Sequence, residues 1–91
     1  MKKISPFQIL VNGQQITVNW LYVILNNDNL NNNATFYYCF YNQIDQNNFG
    51  NKVIEGNLQM NGTDYSNFST NNNANNFAYN WAAQKLGVTF I

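Results

Sequence analysis

The chain contains no arginine and no histidine; its charged side chains are Lys2, Lys3, Lys52 and Lys85 against Asp28, Asp45, Glu55 and Asp64. Without histidine, a serine or cysteine nucleophile lacks its ordinary base. Four scattered lysines cannot neutralise a run of phosphates, so nucleic acid is not an expected partner. A formal net charge of zero supplies no long-range field to steer a charged ligand. The four carboxylates are far apart in sequence, against a paired acid–base or glycosidase site, and Asp64 is accounted for by the positive end of a helical turn. A single cysteine, Cys39, excludes an intramolecular disulfide framework, and its neighbours Tyr38 and Phe40 mark it as core filler.

The longest strictly apolar run, Trp20 to Leu25, is far below the roughly 18 residues a membrane span needs. Lys2-Lys3-Ile4 begins like a signal peptide, but Pro6 and Gln8 interrupt the apolar region. The run from Asp45 to Gly50 resembles the opening of a calcium loop, yet Phe49 and Gly56 stand where ligands belong, so it reads as a plain turn. No enzyme activity, cofactor, metal or membrane partner is expected.

What is present is apolar and amide. Hydrophobic residues make up 45% of 91 and aromatics 16%, enough for one domain, 1–91, with a thin core. Asparagine occurs 21 times. AT-rich coding raises asparagine, but it would raise lysine too, and lysine stays at four. A polar surface that is also neutral suits copies packed densely together, because identical surfaces then do not repel.

Alternation of side chains predicts strands in the first half. Phe7, Ile9 and Val11 lead to Asn12-Gly13, a strong two-residue hairpin signal. Ile16, Val18, Trp20, Tyr22 and Ile24 would share one face of the second strand, with Leu21, Val23 and Leu25 on the other. A polar loop follows, anchored by Leu30. The third strand, Ala34 to Ile44, sets Phe36, Tyr38 and Phe40 against Tyr37, Cys39 and Tyr41. A fourth, Lys52 to Met60, presents Ile54, Leu58 and Met60, and Gly56 in its middle signals a bulge or a close neighbour. Thr63 is the expected cap of a short turn from Asp64 to Phe68. From Ala74 the spacing becomes helical through Phe77, Ala78, Trp81, Ala82 and Leu86, with Gly87 as C-terminal stop.

The predicted fold is α+β: an antiparallel four-stranded meander, one C-terminal helix packed on a face, and a short terminal strand, Val88 to Ile91. The expected core is Trp20, Phe36, Tyr38, Leu58, Phe77, Trp81 and Leu86. One helix covers one face, so Leu21, Val23, Leu25, Tyr37 and Tyr41 are the candidate interface, joined by Val88 and Phe90 at an edge open to another chain.

The segment Leu58-Gln59-Met60-Asn61-Gly62-Thr63-Asp64-Tyr65-Ser66-Asn67-Phe68, with Phe77-Ala78-Tyr79-Asn80-Trp81-Ala82-Ala83-Gln84-Lys85-Leu86-Gly87-Val88-Thr89, resembles the C-terminal part of small virion-associated proteins of tailed bacteriophages. A strand ends in glycine, an acid and tyrosine follow, and a helix carries Tyr-x-Trp. The resemblance covers about the last third of the chain. It departs in the connector Thr70 to Asn76, which holds amides where acids are expected. It implies a non-enzymatic capsid or tail accessory protein located in the virion, its partners being other copies of itself and virion proteins. Alternatives are a tail module that binds a receptor or host surface glycan through tyrosines and asparagines, and a small inhibitor of a host protein.

Overall fold

The computed structural model describes residues 2–42 and 52–91. Four strands form one antiparallel open sheet in the order β1-β2-β3-β4: β1 Lys2–Val11, β2 Gln14–Asp28, β3 Asn33–Tyr41 and β4 Lys52–Asn61. Two helices follow, α1 Gly62–Ser69 and α2 Ala74–Leu86. The fold class is α+β, with two helices where one was predicted.

Asn12 (φ 50°) and Gly13 (φ 80°) make the β1–β2 turn, since a two-residue hairpin with matching twist needs positive φ at both centres. The second hairpin is held by asparagine chemistry. The Oδ1 of Asn29 accepts from the backbone N–H groups of Asn31, Asn32 and Asn33 at 2.9–3.1 Å, so one short amide replaces the backbone partners a turn leaves unpaired. Leu30 is not an anchor there. It sits at the turn with φ 60° and is 85% exposed.

Cross-strand partners share a face of a sheet, and registers therefore assign the side chains. Leu21 pairs with Phe40, Val23 with Tyr38 and Leu25 with Phe36; Phe36 in turn meets Leu58, Tyr38 meets Gly56, and Phe40 meets Ile54. This side carries the core, in which Leu21, Val23, Ala34, Phe36, Phe40 and Met60 are buried with Tyr65, Ala78, Tyr79, Trp81 and Ala82 of the helices. Tyr38, Leu58, Phe77 and Leu86 are half-buried against it.

The expected pairing of faces in β2 is therefore reversed. Buried positions along β2 change phase, from Val18 to Leu21 and Val23, where the β1–β2 register shifts between Lys3 and Phe7. Pro6 lies in that shift, and a proline inside a strand is tolerated at such irregularities or at an edge. Trp20, placed in the core by sequence, pairs with Tyr41 on the opposite side and is only half-buried. Leu21 and Val23, placed on an exposed face, are core residues. Leu25 is 44% exposed, but on the core side.

Gly56 has the close neighbour its position suggested: a Cβ there would lie 2.7–2.9 Å from the Tyr38 ring and hydroxyl. The strand enters α1 through Gly62 (φ 58°), and the cap position is Asn61 without a side-chain bond, so Thr63 is not the cap. In α2 the Asn73 side chain accepts from the Asn76 N–H at 3.1 Å, and Gly87 ends the helix in the left-handed conformation. Beyond it no strand forms; Phe90 makes an isolated bridge to Ile4.

The Trp81 ring is 5.6 Å from that of Phe36, and its Nε1–H donates to Asp64 Oδ2 at 3.2 Å. Trp81→Ala removes a nearly buried ring, so urea unfolding should show a loss of ~3–5 kcal/mol. Gly56→Ala should cost about 1–3 kcal/mol by forcing Tyr38 off its site, and less in a Tyr38→Leu background.

Candidate functional site: the aromatic face of the sheet

On the side away from the core, β2 contributes Trp20, Tyr22 and Ile24, β3 contributes Tyr37, Cys39 and Tyr41, and β4 contributes Glu55 and Asn57. The registers align them in rows: Trp20 beside Tyr41, Tyr22 beside Cys39 and Glu55, Ile24 beside Tyr37 and Asn57. Cys39 is fully buried at the centre, shielded by the larger side chains around it. Trp20, Tyr22, Tyr37 and Tyr41 are half-buried and Ile24 is 46% exposed. Four rings and an isoleucine thus surround a thiol on a pleated surface.

A small polar cluster edges this face. The Tyr37 hydroxyl donates to Glu55 Oε2, which also takes the Lys52 ammonium at 3.0 Å, while that ammonium lies 5.9 Å from the Tyr37 ring centre. The carboxylate acceptor pushes the Tyr37 hydroxyl up from 10.0 to about 12, because ionising it would place two anions together. Glu55 is lowered, first by the Tyr37 hydrogen bond and then by Lys52. Tyr41 is raised by a hydrogen bond with Cys39. Such a cluster orients a ring; it contains no base placed beside a nucleophile.

The other tyrosines serve the core side. Tyr65 donates to Asp28 Oδ1 at 2.7 Å and is raised by that carboxylate. The Tyr79 hydroxyl accepts from the Val23 N–H at 3.2 Å, closing a backbone donor of β2 beyond the end of its pairing with β1 at Lys2; burial raises it.

Of the sequence-derived interface residues, Tyr37 and Tyr41 lie on this face. Leu21, Val23 and Leu25 lie on the core side instead, and Trp20, Tyr22 and Ile24 stand on this face in their stead. Val88 and Phe90 are half-buried against the chain's own core, so they are not a free edge. The calcium-like run from Asp45 to Gly50, and Ile44 at the expected end of β3, fall outside the described residues. Among the described residues no group of three metal-ligating side chains comes together, and no helix is long and apolar enough to cross a membrane.

Comparison with protein-family models, curated proteins and solved structures finds no match for this chain.

Tyr37 and Glu55 give a direct check. A group raised in the folded state contributes stability below its unfolded value and loses it as pH rises through the folded one. Ultraviolet titration should therefore show one tyrosine ionising near pH 12, well above the usual 10, and Glu55→Gln should bring that step down toward 10.

Proposed function

We propose that this protein is a non-enzymatic structural or accessory component of a bacteriophage particle, attached to capsid or tail and working in several copies. The observation that carries the reading is the division of the sheet. One side is built into a core with the helices; the other presents Trp20, Tyr22, Ile24, Tyr37 and Tyr41 to the outside. Aromatic rings edged by Asn57 and the Lys52–Glu55 pair have the layout of a protein interface, with apolar anchors at the centre and hydrogen-bonding groups at the rim. Half-buried rings gathered around an exposed Ile24 on one side of a sheet are a surface that a partner could cover. Zero net charge and abundant asparagine support dense packing of identical copies, and the resemblance of the last third to virion-associated proteins supports the particle as the setting.

In this reading α2 lies against one face and the segment 88–91 finishes the β1 edge, leaving the aromatic face as the working surface. Its chemistry is complementarity alone: rings are covered, water is released, and Glu55 and Asn57 supply polar contacts at the rim.

Mass spectrometry of purified particles should find the chain at a fixed, multiple copy number. Tyr37→Ser with Tyr41→Ser should leave the fold intact, as judged by circular dichroism, and should remove the chain from the particle. A chain absent from particles, or one whose rings are quenched by cell-wall polysaccharide while it stays solitary, overturns the reading, the latter in favour of a glycan-binding module.

A further inference from the structure

The two edges of the sheet are treated differently. The outer edge of β1 is occupied: Ser5 N–H donates to Thr89 O at 2.7 Å and Ile91 N–H to Lys3 O at 3.3 Å, and Pro6 beside them offers no N–H. At the other end β4 has no strand beyond it among the described residues, and Lys52–Asn61 contains no proline. An unprotected edge is a template for another strand, which proteins ordinarily block with charge, proline or a covering segment. The charges of β4, Lys52 and Glu55, neutralise one another within the chain.

We infer that β4 pairs antiparallel with β4 of a second copy about a two-fold axis at Asn57, joining two four-stranded sheets into one. The register follows from three constraints. The β3–β4 ladder is irregular between Phe40 and Tyr41, so the regular part of β4 begins at Ile54. Paired residues share a face, so the two β4 strands can shift only in steps that keep the aromatic sides together. A centre at Glu55 would set two carboxylates against each other, and a centre at Gly56 would shorten the regular overlap to the stretch from Ile54 to Leu58. A centre at Leu58 would run it into Asn61, the cap position from which α1 departs. With Asn57 at the centre the overlap runs from Ile54 to Met60. Asn57 then faces Asn57 of the second copy, amide to amide. Glu55 faces Gln59 of that copy, and Leu58 faces Gly56. No like charges meet, which is why a second copy suits this edge better than a charged peptide. The joined sheet carries two aromatic faces side by side on one surface.

The inference rests on the reading that the protein works as copies of itself, but it uses the strand edge and not the rings. One strand pair is at the small end of interfaces, so association should depend on concentration. In a Cys39→Ala background, Asn57→Cys should form a disulfide-linked dimer under mild oxidation at least about tenfold faster than Gln59→Cys, because only the central residue meets its own copy within bonding range. In the unaltered protein, alternate β4 amides should gain protection from hydrogen exchange between micromolar and about millimolar concentration. Equal cross-linking rates, or β4 amides whose exchange does not change with concentration, overturn the pairing. A dimer that forms with those amides unchanged and is lost in Tyr37→Ser, Tyr41→Ser sinks this pairing alone and leaves the aromatic-face reading standing; a protein that stays single at every concentration sinks both.

Discussion

The phase change in β2, between Val18 and Leu21, decides which side chains become core and which remain on the surface. β2 is the longest strand, with 15 residues, and it pairs on both sides. Before the change Val18 is buried beside Phe7 of β1, whose ring meets Phe40 edge-on at 5.3 Å. After it, Leu21 and Val23 take over the core side, and Trp20, Tyr22 and Ile24 turn outward. Without that switch Trp20 would enter the core and Leu21 would leave it. The register shift that contains Pro6 keeps both halves of the hairpin pointing their apolar side chains at one core.

From this follows the division of labour among the rings. Phe36 lies at the centre of the core side, contacting Phe68 at 5.3 Å and Trp81 at 5.6 Å, so strand, α1 and α2 converge on one residue. Tyr65 and Tyr79 bury their rings there and place their hydroxyls on Asp28 and on the Val23 amide, as buried phenols must. Tyr37 has its hydroxyl tied to Glu55 at the surface, on the side away from the core. Asparagine works locally in the same economical way: Asn12 permits a positive φ, Asn29 gathers three amide protons, and Asn73 caps α2. Three of the 21 asparagines thus do turn and cap chemistry, and most of the others keep the surface polar without charge.

Much of this was legible in the residues. Asn12-Gly13 marked the hairpin because few other pairs accept that backbone. The strict alternation of β3 separated Phe36, Tyr38 and Phe40 from Tyr37 and Tyr41. The helical spacing from Ala74 and the glycine at 87 bounded α2 as found. The faces of β2 were not legible for a physical reason: from Trp20 to Leu25 every residue is apolar, so alternation carries no phase, and only pairing with β1 and β3 sets it. The fate of the last residues was equally hidden, since Val88 to Ile91 reads the same whether its partner is Ile4 of its own chain or the edge of another. As a result Tyr37 and Tyr41 lie on the side away from the core, as the alternation of β3 placed them, while the two faces of β2 are exchanged.

The central claim is that the six tyrosines fall into two populations, Tyr22, Tyr37 and Tyr41 on the outer face of the sheet and Tyr38, Tyr65 and Tyr79 on the core side. The most direct measurement is the effect of a soluble paramagnetic agent on the nuclear magnetic resonances of each tyrosine ring in dilute solution and again at high concentration. Tyr37 and Tyr41 should be strongly relaxed when dilute and shielded when concentrated, with Tyr65 and Tyr79 protected throughout. Strong relaxation of Tyr65 and Tyr79, or Tyr37 and Tyr41 protected in the dilute single chain, would contradict the account.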